Sequence, residues 1–148
     1  MLGPQHRPGT MAEAELLRRL ESFFDENHTA ESARPLLRSA ALLWHDHLDA
    51  SHNISQSIET RDGSWLHGIM HRREPDYGNA KYWFRRVGQH PAFAALAERT
   101  KRKTWDAFVF IDECEVAEQG NDAEASVVLR RVQAAEFDVL VEHILQNA

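Results

Sequence analysis

The groups in this sequence best suited to chemistry are histidines at helical spacing on two neighbouring segments. His45, Asp49 and His52 stand at i, i+4 and i+7, which places them on one face of a helix. His67 and His71 are four residues apart and share a face in the same way. Two histidines at this spacing can hold one metal ion from a single helix. The predicted metal ligands are Asp49, His52, His67 and His71.

A site of this composition would suit metal-assisted chemistry. Imidazole nitrogens with a carboxylate suit Zn, Ni, Mn or Fe, and an incomplete coordination sphere leaves room for water or substrate. A histidine that titrates near neutral pH can also act as a general acid or base. The sequence leaves open whether the protein is an enzyme. If it is, the predicted catalytic residues are His52, His71 and Arg72.

The segment that follows His71 supplies groups that could bind a small anionic ligand. An arginine can hold a carboxylate or a phosphate with two parallel hydrogen bonds. Adjacent arginines point to different sides of a helix, so at least one of Arg72 and Arg73 is expected to pair with a carboxylate inside the protein. The predicted ligand-binding residues are Arg73, Glu74, Asn79, Lys81 and Trp83.

The same residues allow an interpretation without catalysis. The sequence contains neither an H-E-x-x-H motif nor the Glu-x-x-His pairs of di-iron bundles. The histidines could therefore be polar helix residues bonded to carboxylates and backbone carbonyls. In that case the cluster is a packing network of a structural or interaction protein, which could be a homodimer.

Charge is distributed unevenly along the chain. The formal net charge is -6, but residues 61–103 hold ten basic and four acidic residues, against seven basic and nineteen acidic elsewhere. We expect the basic middle and the acidic ends to pair within the fold. An acidic protein is poorly suited to sequence-independent phosphate binding, so nucleic acid is not an expected partner.

Composition and length indicate an ordinary globular protein. The chain has 148 residues, of which 43% are apolar, and no stretch approaches the roughly 20 apolar residues of a membrane span. The single cysteine, Cys114, excludes an internal disulfide and has acidic neighbours, so a structural role is expected. We expect a soluble, cytoplasmic protein with a short flexible leader, residues 1–9, and one domain, residues 10–148.

Apolar periodicity is helical almost throughout. Pro35 suits the first turn of a helix that we extend to Gln56. Ser64 is a candidate N-cap for a helix over 65–73 that ends before Pro75, and Gly88 closes the helix over 79–87. Further helices are predicted over 11–27, 91–101, 105–118 and 122–145. The predicted fold is an all-α, single-domain bundle of three or four long helices with an insertion of short helices.

One stretch resembles a known family. Residues 67–91, with HRREPDYGNAKYWFRRVGQHP at their centre, resemble the hallmark of a family of small uncharacterised helical proteins from bacteria and fungi. The upstream segment WHDHLDASH is similar to the matching part of that family, so the likeness covers residues 40–92. The resemblance implies a small helical protein without an assigned activity. It also implies that the histidines, arginines and acids of this stretch belong to one constellation.

Overall fold

The computed structural model describes residues 8–148, and within that range the chain forms eight helices and no strand. The helices are α1 (Glu13–Glu26), α2 (Arg34–Trp44), α3 (Leu48–Ser55), α4 (Arg61–Arg73), α5 (Tyr77–Val87), α6 (Phe93–Arg99), α7 (Ala107–Gln119) and α8 (Ala123–Gln146). The predicted all-α, single-domain fold is confirmed. Of the predicted leader, residues 1–7 lie outside the described part, and the described residues 8–10 are exposed.

The prediction of three or four long helices is wrong. Only α8, with 24 residues, exceeds the 14 residues of α1. Helices α1, α2, α6 and α7 are each followed by a residue with positive φ that turns the chain. These residues are His28, Asp46, Lys101 and Asn121.

The predicted continuous helix over 35–56 is broken at Asp46, which has φ 69°. The amide of His47 donates to the carbonyl of Leu42, and the amide of Asp46 to that of Leu43. These bonds form a Schellman motif, which usually takes glycine at the left-handed position but accepts a short polar side chain. Sequence periodicity missed this break because no glycine or proline marks it. Helix α3 therefore starts in a different direction from α2, and His45 does not share a helix face with His52.

Helix α4 is the most deeply buried helix, with ten buried residues among thirteen. It begins four residues earlier than predicted, because Thr60 rather than Ser64 caps it. The Thr60 hydroxyl accepts a hydrogen bond from the Gly63 amide, and Gly63 fits closely against Ile58. The predicted end of this helix before Pro75 is confirmed.

Helix α5 packs closely against α4. A Cβ at Gly68 would lie 2.6 Å from the Phe84 ring, so a glycine allows the two helices to approach. Asp76 caps α5 by accepting a hydrogen bond from the Asn79 amide at 3.2 Å, and Gly88 ends the helix with φ 60°. This close approach brings the Trp83 side of α5 against the histidine side of α4.

None of the helices in the described range is long and apolar enough to span a membrane.

Candidate functional site

Three histidines converge where α3 meets α4. His52 from α3 and His67 and His71 from α4 each offer a ring nitrogen, and these three atoms lie within 4.8 Å of one another. The His52 ring centroid is 4.6 Å from that of His67 and 5.7 Å from that of His71. The two α4 rings are stacked at 4.9 Å, as expected from their i, i+4 spacing. The structure thus brings together three of the four predicted ligands.

The buried nitrogens of this cluster have no hydrogen-bond partner among the described residues. Only 2% of the surface of His67 is exposed, yet its Nδ1 atom is unpaired. The Nδ1 atom of His71 is also buried without a hydrogen bond, although it lies 3.3 Å from a Glu74 carboxylate oxygen. Buried polar groups in native proteins are nearly always satisfied, so these atoms call for an explanation.

Burial keeps the imidazoles of His67 and His71 neutral. Desolvation, assisted by the nearby His71 and His52, lowers the pKa of His67 to about 3. Desolvation also lowers the pKa of His71, against the opposing influence of Glu74 and Asp76. The neutral imidazole is the form that coordinates metal ions, so both rings are in the ligating state at neutral pH.

Trp83 of α5 covers the ring of His67. The two ring centroids are 3.7 Å apart and their planes are inclined by 15°. The guanidinium of Arg86 lies over the Trp83 ring, with its carbon 5.3 Å from the centroid. The predicted ligand-binding residue Trp83 is therefore in direct contact with the cluster.

Acidic side chains border the cluster on the His71 side. Glu74 is one turn beyond His71, and an Asp76 oxygen lies 3.9 Å from the His71 Nδ1 atom. Asn79 donates a 2.7 Å hydrogen bond from Nδ2 to Asp76 and, as the largest influence, lowers the pKa of that carboxyl. The structure therefore places Asn79 as a partner of Asp76.

Asp49, the fourth predicted ligand, is not among the ligand atoms that converge. It is exposed at the start of α3 and lines an open groove of about 660 Å³ beside the cluster. The other residues that line this groove are Asp46, Leu48, Arg73, Glu74, Pro75 and Asp76.

Arg72 lies in the core, where it has no exposed surface with which to meet a ligand. Its Nη1 atom donates to Glu136 at 3.2 Å and its Nη2 atom to Gln133 at 2.9 Å. Glu136 is fully buried and also accepts a 2.9 Å hydrogen bond from the indole of Trp65. This network ties two turns of α4 to α8.

The other two cations predicted to serve a ligand are also paired within the protein. Arg73 donates to the Leu43 carbonyl and to the Asp46 carboxylate, at the break between α2 and α3. Lys81 pairs with Asp112 of α7 at 2.6 Å. The expectation that arginines of this segment form internal ion pairs is thus confirmed for both Arg72 and Arg73.

Cys114 is buried, as expected of a structural residue. Its pKa is raised to about 12, chiefly by desolvation, with Glu136 contributing more than the neighbouring Glu113. The direction of this shift agrees with the prediction from acidic neighbours, but burial is the larger cause.

A second cluster, Asp62, His90 and His143, was missed by the sequence analysis. The His90 Nε2 atom donates to Asp62 at 2.8 Å, and the Ala92 amide donates to its Nδ1 atom at 3.1 Å. Because Nδ1 accepts, the proton of the neutral ring is on Nε2 and no lone pair is free for a metal. This cluster is therefore a hydrogen-bonded link between α4 and the loop before α6, with the His143 Nε2 atom of α8 at 3.8 Å from Asp62. No periodicity could reveal it, since its members lie on three separate segments.

An apolar groove of about 370 Å³ lies between α1, α2 and α8. Its aromatic wall includes Phe23, Trp44 and Phe137, and its charged lining residues are Asp138 and Glu142.

No family model matches this chain, and neither a curated protein nor a solved structure matches it. The family resemblance of residues 40–92 stays a prediction, and function is inferred from geometry and chemistry.

Proposed function

We propose that this protein binds a divalent transition metal ion through His52, His67 and His71. The observation that supports this proposal is the convergence of three ring nitrogens within 4.8 Å of one another. A zinc ion bound tetrahedrally by imidazoles at about 2.1 Å would hold its ligand nitrogens about 3.4 Å apart, which lies inside the limit that encloses the three atoms here. His67 adds support, because it is almost fully buried and its Nδ1 atom has no hydrogen-bond partner among the described residues.

The chemistry of the donor set favours particular metals. Neutral imidazoles suit Zn, Ni and Fe, whereas Mn prefers oxygen ligands, and the carboxylates here lie outside the converging atoms. Three protein ligands leave at least one coordination position for water or a substrate, as in catalytic zinc sites. We extend the proposal to metal-assisted acid–base chemistry, since a bound metal would lower the pKa of its water to about 7.

The surrounding residues would prepare the histidines for this task. Carboxylates facing the outer nitrogen of a ligating histidine fix its orientation and increase its basicity. Glu74 and Asp76 are placed to do this for the Nδ1 atom of His71. Trp83 would hold the plane of the His67 ring by stacking.

The test is elemental analysis of tag-free protein, combined with thermal melts in EDTA and in added Zn²⁺, Ni²⁺, Mn²⁺ or Fe²⁺. We expect one metal ion per chain and a higher melting temperature with metal. His52→Ala and His71→Asn should abolish both effects, because each removes a ligand of the metal. Both residues are only partly buried, so the folded state should persist. His28→Asn is the matched control, since His28 is exposed and asparagine accepts its positive φ of 50°.

Unchanged melting temperatures and no bound metal would overturn the proposal. The cluster would then be a packing network of a non-catalytic protein, and His52→Ala would lower stability without any effect of metal.

A further inference from the structure

The charges around the histidine cluster bear on which molecules could reach a metal held there. Every cation predicted to attract an anion already has a partner within the protein. Arg72 is bonded to Glu136, Arg73 to Asp46, and Lys81 to Asp112. Releasing Arg72 or Arg73 would leave a buried or largely buried carboxylate unpaired, which is costly. The pair of Lys81 with Asp112 is more exposed and holds its cation less firmly.

Carboxylates, in contrast, flank the cluster on both of its helices. Asp49 precedes His52 by three residues and Glu74 follows His71 by three, a spacing that places side chains on neighbouring positions of a helix face. Both are exposed and line the same groove as Asp76. The independent indication of a ligand here is His67, which is almost fully buried and has an unpaired ring nitrogen.

We propose that the open coordination position of this site takes a neutral or positively charged small molecule with a nitrogen donor, of the amine or imidazole class, and disfavours anions. The inference rests on the metal site proposed above. A divalent ion with three neutral imidazoles would carry two positive charges, whereas Asp49, Glu74 and Asp76 place three carboxylates along the groove. Arg86, which lies over the Trp83 ring, does not line this groove. The residual field therefore attracts cations, opposite to the anionic ligand predicted from sequence.

The electrostatic field at the open coordination position can be measured with ligands that have the same donor atom and differ in charge. Three N-alkylated imidazoles share one donor nitrogen and carry a propylammonium, a propyl or a propionate group. Each is titrated into Co²⁺-loaded protein, with binding read from the visible absorption of the metal. We expect affinity to fall in that order, by about threefold per step, as Coulomb's law gives for charges roughly 7 Å apart in water. The differences should shrink at high ionic strength.

Two double variants with equal net charge provide the comparison. Asp49→Asn with Glu74→Gln leaves Asp76 alone against the two charges of the ion, so the order of the three affinities should reverse. Glu124→Gln with Asp138→Asn also removes two exposed carboxylates, but from α8, and should preserve the order of the native protein.

The outcomes separate the two proposals. If Co²⁺ gives no absorption that depends on His52 and His71, the metal site itself fails, and this inference fails with it. If Co²⁺ binds but the three imidazoles bind equally, or the propionate binds most tightly, the metal site stands and the charge preference is overturned. A Co²⁺ spectrum that none of the three ligands changes would also overturn it, since the coordination position would be closed.

Discussion

Trp83 lies face to face with His67, with ring centroids 3.7 Å apart. The stack joins the surface of α5 to a buried imidazole of α4, and it makes Trp83 the tryptophan in direct ring contact with the proposed metal site.

Trp83 should report metal binding through its fluorescence. We expect Ni²⁺ or Co²⁺ to quench the tryptophan emission of the native protein, because a bound ion would lie close to the stacked indole. Trp83→Phe should lose most of this quenching while keeping a ring on His67. Trp44→Phe, on the apolar groove, should retain it. Equal fractional quenching in both variants would contradict the proposed location of the metal.

In acid, the free energy of unfolding of the metal-free protein should depend on the protonation of His67. Its pKa is about 3 in the folded protein against 6.5 ordinarily, so between these values the unfolded chain binds a proton that the folded chain does not. The free energy of unfolding should therefore fall as pH drops from 6.5 towards 3, by up to about 1.4 kcal/mol per pH unit from this group.

His67→Phe should weaken this dependence, because it removes the titrating group and keeps a ring against Trp83. Urea unfolding in EDTA at several pH values measures the difference. Parallel curves for the two proteins would show that His67 takes up its proton in the folded state.

The buried pair of Arg72 and Glu136 should be sensitive to the loss of one partner. We expect Arg72→Met to cost about 3–5 kcal/mol, because it leaves a buried carboxylate unpaired. Adding Glu136→Leu should recover much of that loss. Lys81→Met, which breaks the more exposed pair with Asp112, should cost less than about 1 kcal/mol. Urea denaturation of all four proteins tests this order, and a double variant as unstable as Arg72→Met would argue against it.

Close packing of α4 on α5 should make Gly68 intolerant of a larger side chain. A methyl group there would meet the Phe84 ring at 2.6 Å, so Gly68→Ala should cost about 1–3 kcal/mol. Gly78→Ala is the control, since the nearest atom to its Cβ is 4.0 Å away, and it should be neutral or slightly stabilising. Similar melting temperatures for the two variants would contradict this account.

Sequence spacing predicted the part of the site that lies on a single helix, because helical periodicity fixes which residues of that helix share a face. His67 and His71 share a face wherever α4 lies, and their stacking followed from a separation of four residues. The pairing of Arg72 with Glu136 crosses 64 positions and depends on which helices meet, which periodicity does not specify. Likewise, the break at Asp46 arises from a left-handed residue that is neither glycine nor asparagine, so composition gave no sign of it.

The short link between α2 and α3, residues 45–47, has a consequence for sequence comparison. Surface links usually accept insertions at little cost. Here one added residue would change the direction in which α3 leaves α2 and shift His52 relative to α4, with both helices intact. Arg73 fixes this link from α4, which leaves it no freedom to compensate. Among related chains, a constant length between Leu43 and His52 would therefore identify the site more reliably than the histidines themselves.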